Sequence, residues 1–324
     1  MTATLASSLA PLGFRDRVVF WPVVGSTAAV VAASAILPPA SPRASAVVVL
    51  VVIVGLGLPH GAFDHLVDEA IDGERSRGRR VRFVRNYLVM VGAVVSTWLV
   101  LPSVALVVFL VSSVHHFGHS DLSPLPTPHG AARRVLHWSR GLFLVGLPLV
   151  AHPEAIAPVV GRLGGGDPST WLWLTDHSAS WSSVLIAQHL AVLALCARRI
   201  GHPEVLAREF VTVAVLSMLF VVADPLIGFA VYFGLWHSVS HLLVLATVVG
   251  EPQGSVRSLV ALAAPLTLVS LAGLVSLVAA VLVVGRADLV VPVAFVVVSA
   301  VTLPHLVVVE RLWRSPLATS RRRR

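Results

Sequence analysis

The chain has 324 residues, of which 56% are apolar and only 12% are charged, and its mean hydropathy is +0.87. Soluble globular domains carry about 25% charged residues, so this composition excludes a water-exposed domain of this size. The net charge of +8 comes from arginines that lie mostly in short breaks between apolar runs, which indicates membrane topology rather than nucleic-acid binding. The sequence therefore predicts an all-α, polytopic membrane bundle.

Ten apolar stretches approach the roughly 20 residues that a helix needs to cross the hydrocarbon core. In chain order they are 18–38, 46–66, 87–102, 103–120, 136–151, 181–197, 209–223, 225–249, 258–284 and 288–311. The third, fourth and fifth stretches are short, so the expected number of membrane helices is about eight to ten. The stretches 67–86 and 152–180 are expected outside the membrane and are too short to fold alone.

The whole chain, 1–324, is predicted to form a single transmembrane domain. We expect about 17 N-terminal residues and the arginine-rich tail 314–324 to be flexible. The N-terminal residues are not expected to form a cleavable signal peptide before the first span. Ten spans place both termini on the same side of the membrane. If that side is the cytoplasm, only three of the arginines lie on the outer side: Arg43, Arg162 and Arg286. The positive-inside rule therefore predicts cytoplasmic termini in a multi-pass plasma-membrane protein.

Histidines are the informative residues, because ionisable groups inside a span are costly and are retained mainly where they face a cavity or a ligand. Four distant segments, all in spans of the same direction, carry histidines at similar depths. They are His60 and His65, the group His115, His116 and His119, the pair His237 and His241, and finally His305. The i,i+4 pair shares one helix face, and Pro59 and Gly61 are expected to break the second span and turn His60 inward.

A divalent metal explains why neutral imidazoles would gather in a dry site, because the ion offsets their loss of water. Asp64 and Asp121 lie close by in sequence and are expected to accept the second ring N–H of a ligating histidine. The single cysteine, Cys196, excludes a thiolate site. Iron, copper, zinc and nickel all suit such ligands. His137 and His189 lack companions and are interpreted as ordinary core histidines.

These segments resemble the Brp/Blh family of membrane β-carotene 15,15'-dioxygenases. The similarity is carried by the run GLPHGAFDH at 57–65, by His116-Phe117-Gly118 with Asp121, by YFGLWHS at 232–238 with His241, and by Pro304-His305. The chain departs from the family pattern at His119, where an acidic residue is usual, and at Ser240, where arginine is usual.

The resemblance implies that β-carotene is cleaved by O2 at its central 15,15' double bond to give two retinal molecules, at an Fe(2+) centre. The implied catalytic metal ligands are His60, His116, His237 and His241, with His65, His119 and His305 as further candidates. The residues implied to line or flank the substrate channel are Tyr232, Trp236, Phe63 and Phe117. The expected surroundings are membrane lipid, the expected recipient of the product is a retinal-binding rhodopsin, and no nucleic acid is expected as a partner.

Three other functions stay open at this point. A membrane di-iron desaturase or hydroxylase would use HxxxH and HxxHH motifs; HxxxH occurs at 115–119 and 237–241, whereas HxxHH is absent. A divalent-metal transporter would need carboxylates or methionines along a path, but only Asp64 and Glu310 lie clearly inside spans. The third alternative is a carotenoid-binding or rhodopsin-assembly protein of the same fold without catalysis.

Overall fold

The computed structural model describes residues 19–73, 76–123, 125, 127–164, 173, 175–242, 256–315 and 317. Within these ranges, the side chains at 60, 256–260, 262 and 263 are not described. The described residues are helical and contain no strand. The predictions for the 17 N-terminal residues and for most of the tail fall outside the described residues.

The described α-helices follow one another with short breaks. They are α1 (Trp21–Ile36), α2 (Pro42–Val52), α3 (Leu58–Gly61), α4 (Asp64–Asp72), α5 (Arg77–Val100), α6 (Pro102–Leu122), α7 (Gly130–Ala151), α8 (Pro153–Gly164), α9 (Ser178–Ile200), α10 (Pro203–Val222), α11 (Pro225–Val231), α12 (Val256–Val283) and α13 (Val290–Arg314). Two π-helical turns, Ile53–Gly57 and Tyr232–Ser238, continue α2 and α11.

Among the described residues, six helices are long and apolar enough to cross a membrane: α5, α6, α9, α10, α12 and α13. The pair α7 and α8 is a seventh candidate, bent by 106° between its arms. The first, second and eighth predicted spans correspond to shorter or interrupted helices, and 243–249 of the eighth lies outside the described residues. The prediction of an all-α, multi-pass membrane protein is confirmed.

Helix α8 falls in a stretch from which the sequence predicts no span. Its residues Ile156, Val160 and Leu163 pack against Trp98 of α5 and Leu106 of α6. Two prolines and two glycines give this segment the composition of a loop, although its apolar residues recur at helical spacing. The chain therefore turns back after α7 and adds a short helix to the bundle.

The outer surface of the bundle is apolar, as expected of a protein whose solvent is lipid. Val283 is 86% exposed, and Leu99 and Leu195 are each 81% exposed. Exposing such side chains to water costs free energy in proportion to their area, whereas lipid tails impose no such cost. The lipid-facing sides of the long apolar helices therefore need no contact with other parts of the protein.

Charged groups are paired at one end of the bundle. Asp68 of α4 accepts hydrogen bonds from Arg79 of α5, at 2.7 Å from Nη2, and from Arg311 of α13. Asp72 pairs with the same two arginines, and hydrogen bonding from Arg79 is the main cause that holds the pKa of Asp72 below its usual range. These contacts tie α4 to two membrane helices.

Helices α6 and α7 approach each other closely at two glycines. A Cβ on Gly118 would overlap the carbonyl oxygen of His137, and a Cβ on Gly141 would overlap the carbonyl oxygen of Val114. Small residues allow membrane helices to pack backbone against backbone. This crossing fixes the part of α6 that carries His116.

We expect Gly118→Ala or Gly141→Ala to destabilise the protein by about 1–3 kcal/mol, because the added methyl meets backbone that cannot rotate away. Gly92→Ala is the matched control, since nothing lies within 4 Å of a Cβ at that helical position. Thermal unfolding in detergent measures the difference. Equal melting temperatures for all three variants would contradict the close crossing.

Candidate metal centre

Four histidine rings from three segments meet inside the bundle. His116 comes from α6, His237 and His241 from the π-helical turn and the residues that follow it, and His305 from α13. Adjacent ring centroids are 5.0 Å apart for His116 and His237, 5.1 Å for His116 and His305, 5.2 Å for His241 and His305, and 5.7 Å for His237 and His241. The rings therefore form a closed group of four around a common centre.

The ring group is buried. The exposed fraction of each of the four histidines is 4% or less. Nε2 of His116 and Nε2 of His237 are 3.3 Å apart. As their spacing predicts, the rings of His237 and His241 lie nearly parallel, with an interplanar angle of 11°.

This arrangement has the dimensions of a metal site. With metal–nitrogen bonds of about 2.1 Å, two imidazole rings at a tetrahedral angle have centroids about 5 Å apart. The four observed separations between neighbouring rings agree with that figure. An all-imidazole group suits a borderline divalent metal such as iron, copper or zinc, so the donor set fits such an ion.

Oxygen atoms lie beside the outer nitrogen of three of these rings. Nδ1 of His305 donates to Oδ1 of Asp64 at 2.7 Å, and Nδ1 of His237 lies 3.5 Å from Oδ1 of Asp121. Nδ1 of His116 is 3.4 Å from the Ser120 hydroxyl. Such contacts set the tautomer of a ring and leave Nε2 as its metal-binding atom.

The sequence predicts that Asp64 and Asp121 support ligating histidines, and both carboxylates do contact rings of the group. Their partners lie on other helices, His305 for Asp64 and His237 for Asp121, and not beside them in sequence. Asp64 also accepts a hydrogen bond from Tyr87 at 3.3 Å. Each carboxylate thus ties its own helix to other segments of the bundle.

A buried ion pair lies behind Asp121. Nη2 of Arg140 is 3.9 Å from Oδ2 of Asp121, and Nη1 of Arg140 is 3.4 Å from Oε2 of Glu209. Arg140 and Glu209 are 3% and 4% exposed. The Tyr232 hydroxyl donates to the same Oδ2 of Asp121 at 3.1 Å. Arg140 therefore places a positive charge between two buried acidic side chains, Asp121 and Glu209.

The remaining candidate ligands lie at different places. His60 lies in α3, directly after the π-helical turn that breaks this span, but its side chain is outside the described residues. His65 directs Nδ1 at the carbonyl oxygen of Ala62, at 3.0 Å. His119 contacts Glu310 at 3.0 Å and forms a separate group with His115.

The histidines interpreted as core residues have partners of their own. Nδ1 of His189 is 2.7 Å from the Ser139 hydroxyl, and its ring stacks on Phe143. The ring of His137 lies 5.0 Å from that of His119.

A cavity of about 550 Å³ adjoins the ring group, within the range of small-molecule pockets. Its lining follows α6 from Leu106 to Phe117 and α13 from Phe295 to His305, and it is mainly apolar. The polar side chains of the lining include His116, His237, His305 and Asp64. The cavity therefore offers an apolar ligand direct contact with the histidines.

The four aromatic residues expected at the channel divide into two pairs. Phe117 and Tyr232 line the cavity. Phe63 packs in another core cluster with Leu66 and Val308. The Trp236 indole donates to the Thr27 hydroxyl at 2.9 Å and thus faces α1.

The sequence analysis names His305 only as a further candidate ligand and does not select Tyr87, Arg140 or Glu209. The signal for Arg140 and Glu209 was present, because a charged residue within an apolar helix needs a partner of opposite charge. Nothing in the sequence links His305 to Asp64, which lies 241 positions earlier.

The chain is similar to known proteins of one family. The family model described as Beta-carotene 15,15'-dioxygenase matches residues 51–313. A relative from Halobacterium salinarum, named probable beta-carotene 15,15'-dioxygenase Blh, is 29% identical over 292 residues, which cover 79% of this chain and 81% of the relative. A beta-carotene 15,15'-dioxygenase from an uncultured marine bacterium is 25% identical over 265 residues, which cover 81% of this chain and 92% of the relative. No solved structure matches the chain.

We expect His305→Ala to reduce the metal content of the purified protein as much as His237→Ala does, because both rings belong to the buried group. His202→Ala is the control, since His202 lies at the surface and pairs only with Glu204 among the described residues. Elemental analysis measures bound metal per chain. Full metal content in His305→Ala, together with loss in His60→Ala, would assign the fourth imidazole to His60.

Proposed function

The chain belongs to the β-carotene 15,15'-dioxygenase family, and we propose that it cleaves β-carotene with O2 at the central double bond to give two retinal molecules. The observation that carries the proposal is the group of four buried imidazoles beside a mainly apolar cavity. A hydrocarbon substrate needs such a cavity, and O2 chemistry needs a redox-active metal, which imidazoles bind. In the reaction each oxygen atom of O2 ends on one of the two central carbons.

We propose that Fe(2+) is held by His116, His237 and His241, with His60 and His305 as the candidates for the remaining imidazole. When bound, the iron would activate O2 for addition to the double bond. Asp64 and Asp121 would accept hydrogen bonds from Nδ1–H of their histidine partners and so hold the proton on Nδ1. The Nε2 atom of each ring would then stay directed at the ion. Arg140 acts through Asp121 and is therefore a positioning residue.

The depth of the cavity supports cleavage at the centre of the substrate. From Leu106 to His116 on α6, and from Phe295 to His305 on α13, the lining spans ten residues, a rise of about 15 Å. A C40 polyene is roughly 30 Å long, close to the thickness of the hydrocarbon core. One half of the substrate would therefore occupy the cavity when its central bond meets the histidines.

The cavity walls would also orient the polyene and exclude water. Phe117 and Tyr232 present their rings beside His237, at 4.8 Å and 6.5 Å between centroids. Because the Tyr232 hydroxyl donates to Asp121, it is withdrawn from the apolar space. The substrate dissolves in lipid, so it would reach the cavity from the bilayer without crossing water.

The cellular setting follows from the same reaction. The relatives come from an archaeon and a bacterium, in which multi-pass helical proteins reside in the cell membrane, so we assign this protein to the plasma membrane. Retinal is apolar and reactive, and a retinal-binding rhodopsin in the same membrane is the proposed recipient.

We expect cells that accumulate β-carotene to lose their yellow colour and form retinal when they express this chain. His237→Ala and His241→Ala should abolish retinal formation, because each removes a metal ligand, whereas His202→Ala should not. Chromatography of the extracted carotenoids and retinal measures both changes. Undiminished β-carotene in cells with well-inserted wild-type protein would contradict the proposed reaction.

Leu106→Trp tests the depth of the cavity. The indole would fill the end remote from the histidines, and we expect turnover of β-carotene to fall at least about tenfold, equivalent to about 1.4 kcal/mol. Val107→Trp is the matched control, because Val107 is 59% exposed on the lipid side of the same helix. Retinal formed per unit of purified protein is the measurement. Equal turnover in the two variants would show that the far end does not hold substrate.

A further inference from the structure

A second group of potential metal ligands lies outside the four-ring group. Nε2 of His115 is 2.9 Å and Nδ1 of His119 is 3.0 Å from the same oxygen, Oε1 of Glu310. The two histidines are i,i+4 on α6, and their rings are nearly parallel, 5.8 Å apart. Glu310 comes from α13, so the group joins the helices that carry His116 and His305.

The donor chemistry of this group is that of a metal site. Two imidazole nitrogens and one carboxylate oxygen all lie within 4.8 Å of one another. In a tetrahedral site with bonds of about 2.0–2.1 Å, neighbouring ligand atoms are about 3.4 Å apart, so each ring nitrogen would move about half an ångström away from Oε1 to admit an ion. Two histidines with one carboxylate are a recurrent ligand set for divalent iron and zinc.

The surroundings favour one oxygen of Glu310 as the ligand. Oε2 accepts from Arg314 at 3.1 Å, so Oε1 is the oxygen directed at the two rings. Trp138 packs beside His115, and Trp313 and His137 pack beside His119. These aromatic side chains limit the positions that the two ligand rings can take.

This second group differs from the first in its access to solvent. The side chains of His115 and Glu310 are 35% and 20% exposed, whereas the four clustered histidines are at most 4% exposed. This group therefore lies nearer the surface of the bundle than the buried rings do. The resemblance to known dioxygenases assigns no ligand pair to His115 and Glu310.

We propose that His115, His119 and Glu310 bind a divalent transition-metal ion, separately from the buried four-histidine group. The bound ion would link α6 to α13 close to the point where these helices present His116 and His305. The three side chains supply three ligand atoms, so the ion would have further coordination positions for other ligands. This site goes beyond the proposed reaction and does not require it.

The test counts bound ions in the purified full-length protein. Chelator-stripped protein is titrated with Co²⁺ alone, which replaces zinc or iron and reports its ligands by visible absorption. The wild type should bind two equivalents. The double variant His115→Gln/His119→Gln should bind one, because glutamine retains a donor for Glu310 but lacks the imidazole; His237→Gln/His241→Gln should also bind one.

The control is His202→Gln, which alters another histidine in contact with a glutamate and should retain two equivalents. Should the double variant fail to fold, Glu310→Gln removes the anionic ligand while its amide oxygen still accepts from the rings, and it should lose the same equivalent. Two equivalents in these variants, or a single wild-type equivalent that only His237→Gln/His241→Gln removes, would overturn the proposal. A single equivalent lost only in the His115 and His119 variant would support this site and contradict the four-histidine centre.

Discussion

The burial of ionisable side chains in an apolar bundle is the constraint on which the site depends. A carboxylate removed from water costs several kcal/mol unless it is paired. Asp64 is therefore bound by His305 and Tyr87, and Asp121 lies beside Tyr232, His237 and Arg140. The contacts that offset the cost of burying the carboxylates also hold the histidine rings in place. The same hydrogen bonds and ion pairs therefore stabilise the buried site and orient its rings.

The same constraint explains why helices without ring ligands matter to the site. Helix α7 contributes none of the four clustered rings, yet its Arg140 stabilises Asp121, and Glu209 of α10 in turn balances Arg140. The glycine crossing between α6 and α7 brings these backbones close enough for the arginine to approach. Removal of one partner would leave another charge buried alone, which is why such networks respond strongly to single substitutions.

Features that arise within one helix and the gathering of histidines from distant helices could be predicted from the sequence, whereas the individual pairings between helices could not. The pairing of His237 with His241 follows from their spacing. The same rule shows that His115 and His119 share a face, which His116 cannot fully share because it is rotated by about 100° from His115. Which face of α6 meets the four-histidine group depends on the rotation of α6 about its own axis. A single sequence does not specify that rotation. The link between His305 and Asp64 is hidden for the same reason.

A hydrocarbon presents no hydrogen-bonding group, so an enzyme that cleaves one particular double bond must select it by shape. The cavity has histidines in its lining, whereas Leu106 and Phe295 in the same lining belong to one apolar cluster. On two different helices, the lining extends about 15 Å along the helix axis from the rings, which is about half the length of the substrate. Because the two halves of β-carotene are identical, one pocket of half its length is sufficient to bring the central bond to the histidines, whichever half enters first.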